Sequence, residues 1–229
     1  MRELLSIGIL PLLLTLGNYQ IGLLCQRKLK TAMANPVLIS VVLVLAFLGL
    51  TKIPNSDYQA GMKIFSWLLT PATVCLAIPM YQHFQTLKRN LPAICVGIAA
   101  GAIGCLGMVM LWALLPGIDR ALAVSLLPKS VTSAIGVPLS EMAGGIGSVT
   151  TAAIILTGII ANILGNACCK LFRLTDPIAQ GVAFGTAGHV IGTAKANELS
   201  ELAGAVSSLS LVVAGLLTAV VFPLVAQLL

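Results

Sequence analysis

Residues 203–229 contain no charged side chain, and neither do residues 4–24 or 91–115. A helix crosses the hydrocarbon core of a bilayer with about 20 apolar residues, so such stretches cannot be the half-exposed elements of a soluble domain. Hydrophobic residues make up 58% of the chain and charged residues 9%, against roughly 25% charged in an ordinary globular protein. The mean hydropathy of +1.03 agrees with an integral membrane protein.

The net charge of +6 does not point to nucleic acid. The basic residues fall in short clusters between apolar segments, without the aromatic interleaving of a binding face, and membrane orientation explains them better. Cys25, Cys75, Cys95, Cys105, Cys168 and Cys169 lie in or beside apolar segments, none at metal-ligand spacing with histidine, and read as small hydrophobes. No metal or cofactor motif is present, nor a G-x-x-x-x-G-K-[ST] loop, and catalysis is not expected. The run at 4–24 is long for a signal peptide, and Leu23 and Leu24 are poor cleavage positions, so it reads as a first span.

Further spans are expected at 37–50, opened by Asn35-Pro36, at 61–81 with Pro71 and Pro79 inside, at 91–115, at 148–171 and at 203–229. Two passages interrupt this series. The first, residues 125–147, reads SLLPKSVTSAIGVPLSEMAGGIG; the second, residues 180–204, reads QGVAFGTAGHVIGTAKANELSELAG. Prolines and glycines there free backbone groups that lipid cannot satisfy, and the hydroxyls and charges are themselves costly in lipid. Something other than lipid must surround them.

The two passages echo each other. Ala134-Ile135-Gly136-Val137 aligns with Val190-Ile191-Gly192-Thr193, and, after an insertion, Ser140-Glu141-Met142-Ala143-Gly144 aligns with Ser200-Glu201-Leu202-Ala203-Gly204. Each copy precedes one apolar span. If both passages are re-entrant, the basic loops at Arg27/Lys28/Lys30, Lys88/Arg89 and Lys170/Arg173 fall on one face, with both termini outside and Lys52, Lys63 and Arg120 on the other. The expected fold is therefore an all-α polytopic membrane protein with about six transmembrane helices plus two re-entrant or broken helical hairpins in an inverted repeat. Residues 1–117 would form a scaffold and partner surface, and residues 118–229 the duplicated units that form the site.

Interrupted segments in repeated units point to the binding site of a secondary transporter. At the first break, after Pro128, Lys129 and the hydroxyls of Ser130, Thr132 and Ser133 precede a half-helix whose free N–H groups suit a carboxylate or phosphate. A lysine at membrane depth costs about 2.5–3.5 kcal/mol on insertion scales; it can also snorkel to the interface. At the second break, Gly185, Thr186, Gly188, His189, Gly192 and Thr193 form a matching small-residue turn. His189 reads as a ligand donor, a proton carrier or a packed core histidine. Pro128, Gly136, Gly185 and Gly192 are candidates for structural breaks, and Lys129, Ser130, Thr132, Ser133, Thr186, Gly188, His189 and Thr193 for substrate contacts. Glu141 and Glu201, at equivalent positions, join His189 as candidate proton carriers, solvated carboxylates being the plainer reading. Lys195 and Glu198 are spaced to pair on a helix, and Asn18, Gln20, Asn162 and Asn166 read as amides joining helices.

The segments LLPKSVTSAIG, SEMAGGIGSVTTAAIILTGI and GTAGHVIGTAKA, with LLTPATVCLAIP upstream and the closing SSLSLVVAGLLTAVVFPL, resemble the LrgB/CidB family of bacterial membrane proteins. The resemblance covers essentially the whole chain and sets Pro128, Lys129, Ser130, Thr132, Gly185, Thr186, His189, Gly192 and Thr193 on family motifs. Ser133-Ala134-Ile135 departs from the proline-containing continuation expected there. The resemblance implies a multi-pass protein of the bacterial cytoplasmic membrane, partnered by a small LrgA/CidA-type membrane protein. It also implies an antiholin-like role in murein hydrolase regulation and lysis or, by likeness to a plastidial glycolate/glycerate translocator, carriage of small monocarboxylates. The partners to expect are thus a small carboxylate anion, membrane lipid, the small partner protein and further copies of the chain, not nucleic acid.

Overall fold

The computed structural model describes residues 9–29, 35–115 and 117–229. The start of the first expected span, Lys30 and the amino terminus lie outside them. The described residues form helices and connections with no strand, divided into two compact units that meet between Cys75 and Leu76.

The first unit holds α1 (Ile9–Leu29), α2 (Pro36–Thr51), α3 (Asn55–Gly61) and α4 (Lys63–Cys75). The side chain of Asn35 accepts from the N–H groups of Val37 and Leu38 at 2.9 and 3.2 Å, and Pro36 supplies a first-turn residue that has no N–H to lose. α2 therefore starts where Asn35-Pro36 predicts. Gly22 of α1 lies against the Pro36 backbone, and the Thr15 hydroxyl meets the Tyr58 hydroxyl at 2.6 Å, tying α1 to α2 and α3.

The second unit holds α5 (Ala77–Gln82), α6 (Phe84–Arg89), α7 (Leu91–Ala113), α8 (Arg120–Leu126), α9 (Ser133–Met142), α10 (Gly147–Leu171), α11 (Pro177–Leu199) and α12 (Glu201–Ala226). Ile94 and Ile98 of α7 pack with Val206 and Ala214 of α12, and farther along Leu106 and Val109 pack with Phe222, so the two run the same way. α10 runs the opposite way. Its first residues adjoin Ser125 and Ser140, and its last turn clusters with Leu174, Phe184 and Ala203. Among the described residues four stretches are long and apolar enough to cross a membrane, namely Lys63–Gln82, Leu91–Ala113, Gly147–Leu171 and Glu201–Ala226, and Pro36–Thr51 is a shorter apolar helix. The chain is thus a helical, multi-pass membrane protein.

Each polar passage is a bent element set among α7, α10 and α12. In the first, Asp119 caps α8 by accepting from Leu122 N–H at 3.3 Å, Pro128 follows the end of α8, and α9 restarts at Ser133. The Arg120 guanidinium donates to the carbonyl oxygens of Ala143 at 3.4 Å and Ala226 at 3.3 Å. The beginning of α8, the end of α9 and the end of α12 therefore lie together.

In the second, Asp176 caps α11 by accepting from Ile178 N–H at 2.6 Å, and the helix breaks at His189, with φ 42° and ψ −136°. Gly192 then lies against the carbonyl of Phe184, while Gly181 near one end of α11 and Asn197 near the other both adjoin the first turn of α12. The two elements thus open toward opposite ends of α12.

Candidate functional site

Both bends lie halfway along the long helices. Ser130 and Val131 of the first bend and Thr186 of the second line one void of ≈ 10 Å³, together with Ala102 of α7 and Ala214 of α12. Backbone turns from Lys129 N–H to Leu126 O (3.2 Å) and from Val131 N–H to Pro128 O (3.2 Å) shape the first bend. Thr132 then enters α9 in extended conformation with no hydrogen bond from its side chain to the helix.

Lys129 lines a larger cavity of ≈ 540 Å³, which Ser130 shares with Thr157, Ala161, Phe184 and Ala187. Its ammonium donates to the Ser130 hydroxyl at a long 3.4 Å. No carboxylate pairs with it among the described residues, where Lys195 pairs with Glu198 at 2.6 Å and the His83 ring approaches Glu201 at 4.0 Å. Burial of a cation is costly unless it is paired. A half-buried lysine beside an apolar cavity, with no carboxylate partner among the described residues, has the chemistry to receive an anion.

At the second bend the expected contact residues are largely occupied by their own fold. The Thr186 hydroxyl donates to Val182 O at 2.7 Å and fits beside Gly101. Thr193 donates to His189 O at 2.9 Å and meets the Ser207 hydroxyl at 2.8 Å. Gly188 lies against Ala161. The His189 ring is buried, with Nε2 2.9 Å from Ile154 O, where its N–H donates, and the Asn162 amide donates to Ile191 O at 3.1 Å just beyond the break. α10 thus holds both sides of the break, accepting from the His189 ring through Ile154 O and donating from Asn162 to Ile191 O.

The remaining candidates are dispersed. Ser133 is exposed at the start of α9. Gly136 and Gly185 are packing positions, the first against Pro128 O and Ile154, the second against Ser207 and Ser210. Glu141 and Glu201 are exposed at opposite ends of the unit. Thr157, Ala161, Phe184 and Ala187 carried no signal in the sequence, because a neutral residue in an apolar run looks the same whether it faces lipid or a cavity.

No solved structure matches this chain. The family model of the LrgB-like family matches residues 15–228, a span that takes in α7, α10, α12 and both bent elements. With the Pro128-Lys129 bend and the His189 bend inside that span, the chain belongs to the LrgB-like family.

Proposed function

We propose that the protein is a secondary transporter of small monocarboxylates in the bacterial cytoplasmic membrane, and not an enzyme. The observation that carries this reading is Lys129, a half-buried ammonium without a carboxylate partner among the described residues, at a bend beside a cavity. On this reading the bent elements are re-entrant hairpins of an inverted repeat, entering from opposite faces. The equal spacing of two contacts supports the repeat. Gly136 meets Pro128 O and Gly192 meets Phe184 O, each eight residues upstream, and the two glycines are aligned in the repeat.

Alternating access then moves the hairpin-bearing helices, together with a small LrgA/CidA-type partner, so that Lys129 is exposed to one side at a time. Hydroxyls of the first bend, Ser130 and Thr132, assist the ammonium, and His189 holds the second bend in place. Uptake of labelled pyruvate, lactate, glycolate and glycerate by proteoliposomes, with and without the small partner, tests this. Uptake that falls at least tenfold in Lys129→Ala is the expected result. No uptake under either condition, with a pore activity insensitive to Lys129, Thr132 and His189 substitutions, would favour the antiholin-like role instead.

A further inference from the structure

The cavity beside Lys129 is far larger than a carboxylate needs, and its wall beyond the lysine is unlike that of a site for polyhydroxylated anions. Of its side chains only Lys129, Ser130 and Thr157 carry a conventional hydrogen-bonding group; the rest are aliphatic, aromatic, alanine, glycine or cysteine. Phe184 is buried with its ring against Gly165, and Ile160, Leu164 and Ala187 present exposed apolar surface to the same space.

A carboxylate placed on Lys129 and Ser130 leaves the remainder of the molecule against this wall. There a hydroxyl or a second carboxylate loses its water and gains at most the Thr157 hydroxyl, whereas a hydrocarbon chain gains burial. We infer that the preferred substrates are monocarboxylates, 2-oxo acids included, whose chain beyond C2 is unsubstituted hydrocarbon, and that hydroxylated two- and three-carbon acids are poor ones. This rests on the anion-transport reading and adds a direction to it, since a charge-only site would rank these acids alike.

Homologous 2-oxo acids test it, because they stay ionised and cross lipid slowly. The full chain in proteoliposomes takes up labelled pyruvate in competition with 2-oxobutyrate, 2-oxohexanoate, glycerate and glycolate. Apparent inhibition constants should fall by roughly fourfold per added methylene, and glycerate should be weaker than 2-oxobutyrate by about tenfold. A second readout uses Cys105, which lines the cavity. Its alkylation by N-ethylmaleimide, followed by mass spectrometry, should be slowed by 2-oxohexanoate at concentrations at which glycerate has no effect. Ala187→Ser, which adds a hydroxyl to the wall, should narrow the ratio between the two acids.

A flat chain-length series, or glycerate or glycolate binding as tightly as 2-oxohexanoate, overturns the inference and leaves carboxylate transport standing. Failure of every acid both to be transported or compete and to protect Cys105 overturns the transport reading as well.

Discussion

Gly192 lies against the carbonyl oxygen of Phe184, so close that a Cβ at position 192 would sit 2.5 Å from it. Residues eight apart in a continuous α-helix are separated by about 12 Å of rise, so this approach exists only because the chain turns back at His189. The corresponding approach in the first bent element is looser, with a Cβ at Gly136 standing 3.2 Å from Pro128 O and 2.8 Å from the Cδ1 methyl of Ile154. A methyl at a side-chain end moves aside more easily than a backbone carbonyl.

Gly192→Ala is therefore expected to destabilise the protein by about 1–3 kcal/mol, and Gly136→Ala by less. Thermal unfolding of the purified variants in the same detergent checks the order. Equal losses would mean that the two bends do not differ in tightness.

His189 combines a positive φ with a bond that fixes its ring. At φ 42° and ψ −136° a side chain is strained by about 1–3 kcal/mol, and Nε2 to Ile154 O offsets part of this. His189→Gly removes the bond and the strain together, whereas His189→Ala removes the bond and keeps the strain. The alanine variant should unfold at the lower temperature. The reverse order would show that the backbone at position 189 relaxes once the ring is gone.

Much of this fold is legible in the letters, and the reasons are local. Asn35-Pro36 announces the start of α2 because a short polar side chain followed by proline suits a first turn and little else. The two bends announce themselves because lysine, histidine, proline and glycine are out of place in lipid. Other features arise from packing. Ser140-Glu141 and Ser200-Glu201 align, yet Ser200 caps α12 by accepting from Ala203 N–H, whereas Ser140 lies inside α9 and accepts from the Thr150 hydroxyl at 2.7 Å. Nothing in the letters separates those roles. The hydroxyls of Thr186 and Thr193 likewise suggest ligand contacts until Val182 O, His189 O and Ser207 are seen to engage them.

The ends of the second unit differ in charge. Lys88 and Arg89 precede α7, and Lys170 and Arg173 lie at the end of α10, on the side where α11 opens; Arg120 lies at the other end beside Ala226. Because an excess of lysine and arginine is expected on the cytoplasmic side, the prediction is that Gln227 lies outside. In a variant lacking native cysteines, a cysteine at Gln227 should react with a membrane-impermeant maleimide in intact cells, and one at Asp176 only after permeabilisation. The opposite pattern would invert the orientation.

Lys129 should separate stability from function. Its ammonium has the Ser130 hydroxyl at 3.4 Å and no carboxylate among the described residues, so removing the charge leaves no buried carboxylate unpaired. A cation at membrane depth costs about 2.5–3.5 kcal/mol on insertion scales, and methionine is of similar length, apolar and suited to a wall that includes Phe184 and Ala187. Lys129→Met is thus expected to unfold at the same or a higher temperature than the wild type while carboxylate uptake falls at least tenfold. Lys129→Arg, which keeps the charge on a wider group, should retain part of the uptake. Parallel melting and uptake measurements on the three proteins decide the matter: a strongly destabilised Lys129→Met would make the lysine a structural element of the bend, and full uptake by that variant would remove it from the anion site.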